Sequence, residues 1–365
     1  MRNILRNTHK YLSLTFGLLW VLQALTGVLI SFRGEIEDAL LAGPEQPLDP
    51  ARLGAAAATL AAARPAATLA YVMASEGSPN RFDVLFTDAR DRTDSVRVDG
   101  AGTVLRERPY DYGYPGPGLL QTAHDFHETL FFGDRGKLFL GFSGALLLSN
   151  LLIALKLAWP GRGQAWRRVL LPGSAGPPSA KLFKWHRALG LVVVLPAIFF
   201  VACGVAQQWP TDEWLGVKSV QPDARSASGA GTVALGDVLS TALARHPGAT
   251  LSIVSMPDAE RPWYRVRMRQ PGEWRRVFGK TAVYVDARDG SVLLDRDAAT
   301  MPLNERISDA FYPLHSGEFL GYAGRVVVLA TGLGLLTMAG LGVCLWWARR
   351  RQQQHSPART KATPR

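Results

Sequence analysis

The chain has 365 residues, is 47% hydrophobic, and carries a formal net charge of +11 with a pI near 9.9. Such basicity usually points to nucleic acid, but here the positive charge sits in short stretches beside long apolar runs, which excludes that reading. Two cysteines, Cys203 and Cys344, fall in separate apolar runs and make neither a disulfide framework nor a metal motif, so they read as small buried hydrophobes.

Residues 1–10 form a basic N-terminal segment carrying Arg2, Arg6, His9 and Lys10, followed by an uncharged run whose span is placed at 11–32. That run is long for a signal peptide and no small-residue cleavage site follows it, so it reads as a retained membrane span. In the outer segment 33–122, residues 53–64 are Ala-rich and helix-forming up to Pro65. Residues 70–74 and 81–87 alternate as strands, and 96–105 reads as a hairpin turning at Asp99-Gly100. A Tyr/Gly/Pro loop at 110–117 leads to 123–158, an approach plus a second span with its uncharged run at 138–155. A basic loop, 159–184, precedes a third span at 185–210, whose uncharged run is 188–211. The second outer segment, 211–314, carries the hairpin VYVDARDGSVL at 283–293. An approach and fourth span, 315–348, end in a basic tail, 349–365.

The segments before the first span, between the second and third, and after the fourth hold sixteen basic residues and no acidic one. This is a positive-inside pattern that puts both termini in the cytoplasm and the segments 33–122 and 211–314 outside. The chain also repeats. Leu53-Gly54, Pro65 and Thr68-Leu69 match Leu235-Gly236, Pro247 and Thr250-Leu251 at one spacing of 182. His127, Gly133, Gly136, Gly144 and Trp159 match His315, Gly321, Gly324, Gly332 and Trp347 at a spacing of 188. His9 and His186 each precede a Gly-Val pair, Gly27-Val28 and Gly204-Val205, at the same distance. The expected fold is a four-transmembrane-helix bundle built from two parallel repeats, with two small α+β outer domains.

That topology places His9 and His186 at the cytoplasmic ends of spans one and three, and His127 and His315 just outside spans two and four. A pseudo-two-fold axis would make each pair face across the bundle. Two facing imidazoles suit the two axial positions of a haem iron, whereas zinc usually takes four ligands and each pair supplies two. Among the histidines without a repeat partner, His124 shares a helical face with His127 and is a candidate alternative ligand or supporting group. His246 reads as solvated surface and His355 as part of a basic tail.

These residues carry a resemblance. His9-Lys10-Tyr11 with Gly27, His127…Gly133…Gly136, Lys184-Trp185-His186-Arg187, the VYVDARDGSVL hairpin and His315…Gly321…Gly324 together resemble the PepSY-associated transmembrane family, which includes siderophore-iron reductases of the bacterial inner membrane. The resemblance covers essentially the whole chain. It implies two b-type haems, PepSY-like domains in the periplasm, and reduction of imported ferric siderophores.

On this reading one haem lies near each face, and an acceptor is held between the two outer domains. Tyr110, Tyr112, Tyr114, Trp209 and Trp214 are candidates to line that place, with an interfacial aromatic belt as the plainer account of Trp209. No cytoplasmic segment is long enough for a nucleotide or flavin domain, so the expected donor is a membrane quinol or a cytoplasmic flavin reductase. Two other classes compete. A membrane-anchored PepSY module that binds or inhibits a protease leaves the paired histidines unexplained. A transporter is disfavoured because the uncharged runs contain no ionisable pathway residue.

Overall fold

The computed structural model describes residues 1–41, 43, 45–109, 118–173, 175–223 and 233–354. Helix α1 (Arg2–Ile30) leads through α2 (Arg33–Ala39) to α3 (Pro50–Ala62). Four strands follow, β1 (Ala67–Ala74), β2 (Arg81–Asp88), β3 (Thr93–Asp99) and β4 (Val104–Pro109). Then come α4 (Leu119–Thr129), α5 (Gly133–Ala158), α6 (Trp166–Leu170), α7 (Pro178–Gln207) and α8 (Thr211–Trp214). The same order recurs in α9 (Leu235–Arg245), β5 (Thr250–Ser255), β6 (Trp263–Arg269), β7 (Thr281–Asp286), β8 (Val292–Arg296), α10 (Leu303–Ser316) and α11 (Gly321–Gln354).

Helices α1, α5, α7 and α11 are long and apolar enough to cross a membrane. Their outward faces expose Leu18 (74%), Val192 (62%) and Leu195 (57%), an apolar surface suited to lipid rather than water. Helix α5 packs on α1 and α7, and α11 packs on the same two, so the ring order is α1-α5-α7-α11 and α1 lies diagonal to α7. Small residues let the neighbours close up: a Cβ on Gly144 would lie 2.6 Å from Val205 Cγ2, and one on Gly332 2.7 Å from Val28 Cγ2. Cys203 is buried as expected, but Cys344 is exposed on α11, because its position falls on the outward face of that helix.

Segments 33–122 and 211–314 do not form two separate sheets. They form one eight-stranded antiparallel sheet, ordered β4-β3-β2-β1-β5-β6-β7-β8, which reads as four strands of the first half joined to four of the second. The join pairs Tyr71, Val72 and Met73 with Ser255, Val254 and Ile253. Unpaired, β1 and β5 would each leave an open edge of backbone donors and acceptors, and each covers the other. Helices α3 and α9 pack together over one face, and a single core holds Leu53, Val72, Val84, Leu239, Val254 and Val266 from both halves. A Cβ on Gly54 would collide with the Gly236 backbone, which accounts for the matched Leu-Gly pairs. Helix α3 starts earlier than its alanines suggest, because Asp49 caps it by accepting from Arg52 N–H and Pro50 suits the first turn.

The other face of the sheet carries a small apolar cluster of Trp263, Ala282 and Tyr284 and, beside it, a set of arginines that reach towards the bundle. Along β6, Tyr264, Val266 and Met268 enter the core, while Arg265, Arg267 and Arg269 point the opposite way, as the two-residue period of a strand requires. Arg267 and Arg269 donate to the carbonyls of Gly279 and Arg275, fixing the loop 270–280 beneath the sheet. From that loop Arg275 bonds Asp309 of α10 at 2.6 Å, and the Arg276 N–H donates to Glu318. In the first half Arg33 bonds Glu76 at 2.8 Å and Gln121 of α4 at 3.1 Å. The underside of the sheet therefore holds α4 and α10 in place.

Candidate functional site

Helices α4 and α10 are short and amphipathic, lie ahead of their spans, and were legible in the sequence only as approaches to them. They bring His127 and His315 to the sheet end of the bundle, with ring centres 6.2 Å apart and planes inclined by 29°. His127 Nδ1 donates to the Gln23 carbonyl of α1 at 3.0 Å and lies 3.1 Å from Thr26 Oγ1. His315 Nδ1 donates to the Phe200 carbonyl of α7 at 2.8 Å. A carbonyl can only accept, so both Nδ1 atoms carry the proton and both Nε2 atoms keep a lone pair. Burial lowers the His127 pKa to about 3, helped by repulsion from His315 and opposed by the bond to Gln23, and burial likewise lowers His315. Both rings are therefore neutral near pH 7. Each lies against a glycine: a Cβ on Gly27 would stand 3.1 Å from His127 Cε1, and one on Gly204 2.7 Å from His315 Cε1.

His9 of α1 and His186 of α7 meet across the bundle diagonal at the far end, with ring centres 6.5 Å apart and planes inclined by 57°. His9 Nδ1 lies 3.0 Å from Asn150 Oδ1 of α5, and Asn150 Nδ2 donates to Ser13 Oγ at 3.0 Å. His186 Nδ1 is buried without a well-formed hydrogen bond, and the Met338 backbone approaches it. The carbonyls that hold His127 and His315 belong to residues fourteen positions past His9 and His186, so helix rise separates the pairs by about 21 Å.

Both pairs fit a bis-imidazole metal group. With metal–nitrogen bonds of about 2.0 Å and ring centres about 1.1 Å behind the ligating nitrogens, two axial imidazoles on one ion stand about 6.2 Å apart. Among the described residues no hydrogen bond engages Nε2 of any of the four, while Nδ1 of three is held by an oxygen acceptor, the usual support of a metal-bound histidine. Among the described residues no three His, Cys, Asp or Glu side chains gather as a metal cluster, so each pair stands as a two-ligand set.

The remaining expected residues are placed differently. His124 lies between carboxylates, Nδ1 3.4 Å from Asp125 and Nε2 3.9 Å from Glu128, and is half-exposed outside the His127–His315 pair. Trp214 is 67% exposed and stacks on Trp209 at 6.1 Å, beside the end of α7. Tyr110, Tyr112, Tyr114 and His355 lie outside the described residues. His246 is not free surface: its Nε2 lies 2.7 Å from Asp295, and Gln270 approaches Nδ1. Sequence reasoning missed Asn150, although an amide in the middle of an uncharged span is costly unless bonded and so was a visible signal.

The joined sheet leaves no gap between its two halves. Open space lies instead beneath it, in two small pockets that share Glu76 and Phe278 as walls. Gln121 of α4 lines the first, and Tyr312 of α10 lines the second together with Arg275 and Arg276. Tyr312 is one turn before His315, carries the Arg275 guanidinium 4.6 Å above its ring, and has its phenol pKa raised by burial.

No curated protein matches the chain closely enough to serve as a relative. The description of the PepSY-associated TM region matches residues 6–349, which takes in all four histidines of the two pairs and the whole sheet. On that match, over nearly its full length, the chain belongs to the PepSY-associated TM region family.

Proposed function

We propose that this protein is a haem b oxidoreductase of the bacterial inner membrane that reduces ferric siderophores on the periplasmic side. The observation that carries this reading is the two opposed histidine pairs, one at each end of the bundle, with the spacing and free Nε2 atoms of axial ligands. His9 and His186 would hold one haem b, and His127 and His315 the other. Two groups so held supply one-electron carriers at both faces of the membrane. The charge pattern supports a cytoplasmic location for His9, His186 and both termini, and a periplasmic one for the sheet. The mirrored strand order about the β1–β5 join supports two parallel repeats, each a span, a PepSY-like half and a second span.

The protein's own task is to hold four imidazoles neutral and correctly turned. Gln23, Phe200 and Asn150 do this by accepting the Nδ1–H of three of them. The substrate is Fe³⁺ in an oxygen chelate. It gains one electron to become Fe²⁺, which such hard ligands hold more weakly, so the iron exchanges out. In this reading the chelate approaches the cavity lined by Tyr312, Arg275 and Arg276, close to His315, rather than a cleft between two domains. The electrons come from a membrane quinol or a cytoplasmic flavin reductase.

A pyridine haemochrome assay on the purified full-length protein tests this. About two haem b per chain is expected. His9→Ala and His186→Ala should each lose the haem of the far end alone, and His127→Ala and His315→Ala that of the sheet end. Absence of haem after expression with ample haem supply overturns the reading and leaves a membrane-anchored PepSY binding or protease-inhibitory module in its place.

A further inference from the structure

Asn150 is the one amide in the uncharged run of α5 and is 4% exposed. A buried primary amide is costly unless its donors and acceptor are matched. Both ends of this one are used, Nδ2 on Ser13 and Oδ1 facing His9. Ser13 follows His9 by four residues on α1, so the two share a helix face and a single α5 side chain grips both. In this arrangement the amide gives its Nδ2–H to Ser13 Oγ and turns its oxygen to His9. With the oxygen turned to His9, the imidazole proton is drawn to Nδ1 and Nε2 is left unprotonated.

The second half of the bundle has no such device. The spacing of 188 that relates His127 to His315 takes Asn150 to Met338, and the spacing of 177 that relates His9 to His186 takes Ser13 to Gly190. The polar pair becomes an apolar one: Met338 Cε lies 3.0 Å from where a Cβ on Gly190 would be. His186 Nδ1 is left buried with no side-chain acceptor and no well-formed hydrogen bond, and only the Met338 backbone is recorded as acting on it. The two imidazoles facing each other at this end are thus chemically unequal.

We propose that Asn150 is a positioning residue that selects the His9 tautomer with Nε2 free and strengthens that nitrogen as a donor, making His9 the stronger of the two ligands at its end. An acceptor on the far ring nitrogen raises the basicity of the ligating one, and removing such a partner typically costs 10–100-fold in metal affinity or activity, as an order of magnitude. The identity of the metal group rests on the haem reading above, while the choice of tautomer does not.

The test uses the full-length chain in detergent, labelled with ¹⁵N-histidine, as wild type, Asn150→Leu and Met338→Asn. In haem-free wild type the His9 ¹⁵N shifts should report a protonated Nδ1 and a bare Nε2, and Asn150→Leu should convert His9 to a mixture of tautomers. In the haem-loaded protein Asn150→Leu should raise the midpoint potential of one haem and leave the other unchanged. Each tenfold loss in preference for oxidised over reduced iron reads as a rise of about 59 mV for a one-electron couple. Met338→Asn, which offers His186 an acceptor, should lower the potential of the same haem. Wild-type tautomer and potential retained in Asn150→Leu overturn the proposal, as does an unchanged potential in Met338→Asn should Asn150→Leu fail to fold. If wild type holds no haem, the haem reading falls and the tautomer comparison alone decides the role of Asn150.

Discussion

Gly27 and Gly204 are the floor on which the sheet-end imidazoles rest. Space at the second is tighter, with a new Cβ 2.7 Å from His315 Cε1 against 3.1 Å from His127 Cε1 at the first. The ring can yield only by stretching its bond to Phe200 or Gln23. On the proposed haem reading, Gly204→Ala should therefore disturb the sheet-end haem more than Gly27→Ala, with the far-end haem unchanged in both, as difference spectra of the purified variants would report. The sequence displayed these glycines as a repeated distance from a histidine and gave no sign of their use, because the imidazole each one faces comes from a different helix. The four histidines were legible for the opposite reason: two pairs related by constant spacings are a pattern within the chain itself. Asn150 had no repeat partner to draw attention to it.

At the level of elements, the spans announced themselves by length and lack of charge, since an apolar helix of that size can cross lipid with every backbone group bonded within itself. Their ring order did not, because packing of one apolar helix on another is set by small residues whose partners lie far off in sequence. Gly144 against Val205 and Gly332 against Val28 are the two closest such contacts related by the repeat. A leucine at either should push its helix outward by several ångströms. Gly144→Leu separates α5 from α7, and Gly332→Leu separates α11 from α1. Each is expected to lower thermal stability by about 1–3 kcal/mol, the usual cost of overpacking, and, on the proposed haem reading, to reduce haem content at the sheet end, where both contacts lie. A thermal melt followed at the haem absorbance would record both effects. Helices α4 and α10 stayed hidden because a short amphipathic helix next to a span looks like its polar margin.

Across the whole molecule, the hairpins were legible and their union was not. Turn residues mark a hairpin locally, whereas the pairing of β1 with β5 joins positions about 180 residues apart that no local signal connects. Val254 sits at that join, paired with Val72 on one side and Val266 on the other, and is wholly buried. Val254→Pro removes a ladder donor from a central strand and should cost about 3 kcal/mol or more. Because one core spans both halves, the loss should appear as a single cooperative transition of the whole sheet, and on the proposed haem reading haem should fall from about two per chain towards about one as the sheet end fails first. The join also acts as a gauge for a place it does not touch. The sheet fastens α4 through Arg33 and α10 through Arg275, so the pairing between β1 and β5 sets how far apart those two helices stand. A slip of two residues in that pairing would move one half by about 6.6 Å, the length of two strand residues. The rings of His127 and His315 are only 6.2 Å apart, so a slip of that size in the ladder above is as large as the whole space the pair encloses.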